Sequence, residues 1–365
     1  MFACVCWSPF QIVNAINYKM KYDAESDMDV YVCMKFSGAE EVAVRLSESE
    51  YVHNVYLVNN LDYDSLPSGA RKKKIIADLL RPGKVVQECV KGDFRINDLH
   101  YSYIISSGYL NFNILFNNYF AKKGAKAFFV DDGVESYLEK NTADHYSAVY
   151  KLFGRFTGNG GINLKPQKLF VYAPNLVLGK QRYEEVLPLV PLDQLKQEIK
   201  KELNRIFDYQ DLRLNYHVML FDQLGTGDFR NNNLLDIQNQ ILRLMTQILE
   251  EDEIAIKLHP RVTESIYPVE IEAFKTSVPW EVFALNEEIE DKVFMSISST
   301  ACLTPKLIFN KEPVIIFLYN LYPIKDYDEM KDYICRAAAS YNCPDRVYIP
   351  ESLADLENIL KKIKE

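Results

Sequence analysis

Glycine is scarce, 14 of 365 residues, and the motifs that depend on it are missing. No Gly-x-Gly-x-x-Gly follows the first predicted strand and no Gly-x-x-x-x-Gly-Lys-Ser/Thr loop occurs, which excludes a dinucleotide oxidoreductase and a P-loop nucleotidase of the usual kind. A Gly-x-Ser-x-Gly elbow is also lacking, and no hydroxyl cluster falls into a readable Ser/His/Asp order. The seven cysteines form no Cys-x-x-Cys and no His/Cys group at zinc spacing, so they read as reduced core residues and no metal or cofactor is expected. Positive charge is in deficit: 42 Lys and Arg against 51 Asp and Glu leave a formal net charge of -9, which argues against a nucleic-acid partner held by phosphate neutralisation. Apolar runs such as "PVIIFLY" fall far short of the roughly 20 residues a spanning helix needs. The opening "MFACVCWSPFQIVNAI" has no basic leader region, and the expected location is the cytoplasm.

What the chain has is alternation. Short buried-type strands ("FACVCW", "DVYVCM", "HNVYLVN", "YSYIISS", "KAFFV", "KLFVYAP") alternate with helical stretches, among them one that starts at Pro9 and an aromatic one over Asn111 to Phe120. After a proline-punctuated, charged amphipathic segment the rhythm restarts with "HVMLFDQ", "IAIKL", "VFMSI" and "PVIIFLY". The expected class is α/β, with parallel sheets covered by helices on both faces. The chain is long enough for two domain cores, and the boundaries read 1–175 for a first α/β domain, 176–212 for a connection, 213–350 for a second α/β domain and 351–365 for a terminal helix.

In such sheets ligands bind beyond the carboxyl ends of the strands, so the residues just after each strand carry the information. After "KAFFV" come Asp131, Asp132 and Gly133. Two adjacent carboxylates shielded from water raise each other's pKa, which suits a base; the same residues also suit a solvated Asp-Asp-Gly turn. Neighbouring strand-end side chains point in opposite directions, so one of the two faces the ligand end, Asp132 taken first and Asp131 in reserve. His259, held extended by Pro260, suits a phosphate or a proton transfer, and equally a loop cap. Ser298, Ser299 and Thr300 precede a helical pattern, where hydroxyls and free backbone N–H groups favour an anion; simple N-capping needs one serine. The other strand-end positions are Ser8, Pro9 and Gln11, Ser107, and Gln223, Gly225 and Thr226.

Taken together, Asp-Asp-Gly in the first half, His-Pro in the second and Ser-Ser some 40 positions later resemble the bacterial sialyltransferases of the GT-B type, particularly glycosyltransferase family 52. "VDDGVESY" is similar to the corresponding stretch of related enzymes, and "SPFQIVNAI" resembles the opening strand-loop-helix of capsule and lipooligosaccharide members. The resemblance implies two Rossmann-type domains facing a central cleft and an inverting, metal-independent transfer of sialic acid from CMP-sialic acid to a glycan hydroxyl. It implies that Asp132 or Asp131 is the general base, that His259 assists the departing phosphate and that Ser298 and Ser299 hold it. Thr300, Pro260, Gln223, Gly225 and Thr226 then fall on the donor side, and Ser8, Pro9, Gln11, Ser107 and Gly133 on the acceptor side or cleft. CMP-Kdo or CDP-glycerol as donor and a non-catalytic nucleotide-sugar binder are the alternatives; a CDP-glycerol polymerase would carry Asp where this chain has Ile297. The expected partners are CMP-sialic acid and a glycan, which in the resembled family is often lipid-linked, with a homodimer left open. "RKKKIIADLLR" at 71–81 makes a basic, apolar-striped helix that suits the inner membrane face or packing on its own sheet.

Overall fold

The computed structural model describes residues 1–365 apart from 62, 64, 108–110, 139–165, 211–215, 224–231, 259–270, 275, 277, 324–327 and 365. The chain divides into two compact units, one of Met1–Val190 with Leu195–Phe207, the other of Pro191–Gln194 with Asp208–Glu365.

The first unit is built on a seven-stranded sheet of β1 (Phe2–Cys6), β2 (Met28–Cys33), β3 (Asn54–Val58), β4 (Tyr103–Ser106), β5 (Lys126–Val130), β6 (Lys168–Val171) and β7 (Glu185–Pro188). Every pairing is parallel, in the order β3-β2-β1-β4-β5-β6-β7. β1 and β2 are buried along their whole lengths, as unbroken apolar runs must be when helices cover both faces. Asp29 is the exception on β2, and its carboxylate is answered by Tyr101 Oη at 2.7 Å, His53 Nδ1 at 3.1 Å and Asn54 Nδ2 at 3.1 Å. These groups lie at the amino ends of the strands, away from the ligand end. Tyr31, Phe94, Phe112, Phe116 and Phe120 fill the core on one side of this sheet.

The second unit carries β8 (Val218–Phe221), β9 (Ile254–Lys257), β10 (Glu272–Phe274), β11 (Val293–Ser296), β12 (Val314–Phe317) and β13 (Val347–Tyr348). They too are parallel, ordered β10-β9-β8-β11-β12-β13. Both sheets reverse their winding once, between β1 and β4 and between β8 and β11. The doubly wound α/β class expected from the alternation is what the chain forms, twice.

Residues 176–212, expected to be a connection, include β7 and the helix Gln197–Ile206, and most of the segment belongs to the first unit. β7 is a four-residue edge strand with no buried side chain, ending on Pro188, so its sequence has the look of a linker. The basic helix spans Ser68–Leu80, and the apolar residues a membrane would need, Ile75 and Leu79, pack on the core of the first unit. Lys73, Lys74 and Leu80 remain exposed. No helix among the described residues is long and apolar enough to cross a membrane.

Candidate functional site

Helix α1 (Pro9–Tyr22) leaves β1 through a tight turn: Ser8 is extended, its hydroxyl accepts the Gln11 N–H at 3.4 Å, and Pro9 occupies the first turn, where no N–H is needed. Ser8 and Pro9 thus start the helix, and in doing so they bring Gln11 to the point where the sheet reverses. Gln11 Nε2 donates to Asp132 Oδ1 at 2.6 Å. Ser107, just past the end of β4, is buried beside the same carboxylate; its hydroxyl makes no well-formed hydrogen bond among the described residues, yet it favours the ionised form of Asp132. The ends of β1, β4 and β5 therefore meet at Asp132.

The two aspartates differ sharply. Asp131 is buried and fully engaged: Oδ1 accepts the Gly133 N–H at 2.9 Å, and Oδ2 accepts the Tyr137 hydroxyl and the Tyr172 N–H. Gly133 closes this turn with φ +78°, a left-handed conformation that a side chain would strain. Burial pushes the Asp131 carboxyl up to about 6 against the pull of those donors. Asp132 is partly buried, and its Oδ2 makes no hydrogen bond among the described residues. Burial pushes its carboxyl up to about 7; the Gln11 amide pulls down, Glu135 and Asp131 push up, and Ser107 pulls down. A carboxyl with one oxygen held, the other available and a pKa near neutrality has the properties of a general base. Beside it lies a small cavity bounded by Phe129, Val130, Leu169, Glu135, Ser136 and Tyr183.

A ladder of buried amides on α1 went unrecognised in the sequence. Gln11, Asn14 and Asn17 recur every three residues on one face, 2%, 0% and 0% exposed. Asn14 Nδ2 donates to the Asp131 carbonyl at 2.9 Å and its Oδ1 accepts the Tyr172 hydroxyl at 2.7 Å. Asn17 holds both polar groups of the Val190 backbone, at 2.7 and 3.1 Å. The readable signal was "QIVNAIN", polar amides at helical spacing inside an apolar run.

In the second unit, the ends of β8 and β11 meet in the same way. Gln223 Oε1 accepts the Ser298 N–H at 2.8 Å and its Nε2 reaches Ser298 Oγ at 3.4 Å. Ser299 caps the short turn Thr300–Cys302 by accepting the Ala301 N–H at 3.3 Å, while its own N–H donates to Ser296 Oγ at 2.9 Å. The N–H groups of Ser298 and Ser299, expected to be open for an anion, are thus bonded within the chain. His259, Pro260, Gly225 and Thr226 lie outside the described residues. Lys257, the last residue of β9, is a cation that sequence reading missed; it is buried, burial lowers its pKa, and Glu281 acts against that shift.

No protein-family model and no curated protein matches the sequence. Solved structures match it over nearly its whole length. The glycotransferase of kitacinnamycin does so with a TM-score of 0.55 at 8% identity, covering 99% of this chain and 89% of that one. The calicheamicin glycosyltransferase gives 0.51 at 10% identity, with 99% and 88% covered. UDP-GlcNAc 2-epimerase from Neisseria meningitidis, bound to UDP-GlcNAc, gives 0.51 at 11%, with 99% and 93% covered. At such identities the likeness is one of fold, and that fold is GT-B.

Proposed function

We propose that the chain is an inverting glycosyltransferase in which Asp132 takes the proton of an acceptor hydroxyl. The observation that carries this reading is the Asp132 carboxyl itself, held through Oδ1 by Gln11, with no hydrogen bond at Oδ2 among the described residues, and pushed up to about 7. As the hydroxyl oxygen attacks the anomeric carbon, its proton passes to Asp132 and the nucleotide leaves with the bonding electron pair. In this reading the first unit carries the acceptor chemistry. The second carries the donor, with hydroxyls of Ser298, Ser299 and Thr300 near the phosphate, Gln223 and Gly225 to Thr226 alongside, and His259 and Pro260 assisting its departure.

For the sugar, the Asp-Asp-Gly, His-Pro and Ser-Ser set supports sialic acid from CMP-sialic acid, moved to a cell-surface glycan of capsule or lipooligosaccharide type. A UDP-activated donor is the second reading, favoured by the epimerase of like fold bound to UDP-GlcNAc. Incubating the purified chain with CMP- and UDP-sugars, with and without glycan acceptors, separates the two by which nucleotide is released. Release with no donor in the panel leaves at most a nucleotide-sugar binder. Asp132→Asn is expected to lose transfer by at least about 100-fold while nucleotide affinity stays within a factor of two or three. Turnover near the parent's in that variant would remove Asp132 as the base.

A further inference from the structure

Gln11 is 2% exposed, and its two amide atoms are committed in opposite directions. Oε1 accepts the Trp7 backbone N–H at 2.6 Å, so the nitrogen is the end that meets Asp132 Oδ1, also at 2.6 Å. Turning the amide over would lose the first bond and set oxygen against a carboxylate. Trp7 is itself anchored: its indole Nε1 donates to Asn113 Oδ1 at 2.7 Å, and Asn113 Nδ2 donates to the Ser107 carbonyl at 2.9 Å. A continuous polar chain thus runs from the end of β4 through the end of β1 to the carboxylate after β5.

Resting on the reading of Asp132 as the base, we propose that Gln11 is its positioning residue, holding the carboxylate in one orientation and in the ionised form so that Oδ2 is the oxygen that receives the proton. The surroundings of Asp132 make that donor necessary. Glu135 and Asp131 face it from its own turn, the Cys6 thiol from β1 and Tyr183 across the cavity, and none of these carries positive charge. Among the described residues, Gln11 and Ser107 are the side chains that favour the anion. A hydrogen bond to a charged group is the larger kind, so its loss moves the ionisation by roughly one to two pH units.

The test is the pH dependence of kcat/KM, with the donor that supports turnover, for the parent, Gln11→Ala and Gln11→Glu. The acid limb is expected to move upward by about one pH unit or more in Gln11→Ala, with roughly a tenfold loss at pH 7 that recovers by pH 9. Gln11→Glu keeps the shape and the acceptor for Trp7 but sets carboxylate against carboxylate, so it is expected to move the limb at least as far. It also carries the test should Gln11→Ala fail to fold, with melting curves reporting on that. Unmoved acid limbs in Gln11→Glu and in any folded Gln11→Ala, beside an inactive Asp132→Asn, overturn the positioning role alone. An active Asp132→Asn, or no turnover with any donor, overturns the base and the role of Gln11 together.

Discussion

Asp131 gives both carboxylate oxygens to the fold, to Gly133, Tyr137 and Tyr172. Replacing it by Asn sets an NH2 against at least one of three donors, and Asp131→Asn is expected to lose about 1–3 kcal/mol in urea denaturation at pH 7. Asp132 has the opposite sign. Its folded pKa of about 7 stands above the ordinary 3.8, so the folded state keeps a proton between those values that the unfolded chain has released. Its contribution therefore favours the fold in acid and is lost as pH rises through 7. Asp132→Asn is expected to be more stable than the parent at pH 8 in urea denaturation, by on the order of 2 kcal/mol, and to show a smaller gain at pH 5. That one aspartate turns inward and the other does not was legible in the two-residue alternation of strands. Which groups would meet each was not, because Gln11 lies 121 residues from Asp132 and Tyr172 lies 41 from Asp131. The serines of the second unit were legible as strand-end hydroxyls; that Gln223 and Ser296 bond their backbone N–H groups depends on contacts no spacing reveals.

At the level of elements, α1 does more than cross from β1 to β2. Its amide face ties the ends of β5 and β6 and the Val190 backbone to one rigid rod, and Asn17 alone satisfies both polar groups of Val190. Asn17→Leu fills the space but strands that N–H and C=O, and a loss of about 2–4 kcal/mol is expected in chemical denaturation, more than an exposed Asn would ever cost. The long apolar strands and their order of appearance could be read from sequence, since buried parallel strands are nearly continuous apolar runs. β7, β10 and β13 could not: they are four, three and two residues long and sit at or beside sheet edges, where neighbours rather than composition decide the conformation. The helix Ser68–Leu80 illustrates the ambiguity of amphipathic stretches. With Leu79 in the core and Ile75 packed against it, the stripe keeps Leu80 as its exposed apolar residue. The protein is expected to remain absent from both anionic and neutral vesicle fractions in flotation at low salt; recovery with anionic lipid that disappears at high salt would instead give Lys73, Lys74 and Leu80 a membrane role.

For the whole molecule, the path of the chain matters as much as its two sheets. Pro191–Gln194 belongs to the second unit while Leu195–Phe207 returns to the first, so neither unit is one continuous stretch. A fragment ending at residue 175 lacks β7 and the helix Gln197–Ile206, whose Arg205 and Ile206 join the helix Ala39–Ser47 and its end through bonds to Arg45 and Glu48. A fragment of 1–207 is expected to melt cooperatively in calorimetry, and one of 1–175 to melt at least about 10 °C lower or without a cooperative transition. The same path orders events during synthesis. When β1 to β6 have left the ribosome, the first unit still waits for a helix encoded more than 20 residues later, past four residues that belong to the other unit. Its folding on the nascent chain is therefore complete only after the stretch shared between the units has emerged, and a pause in translation before β7 has emerged would leave the β6 edge uncovered and open to pairing with another chain.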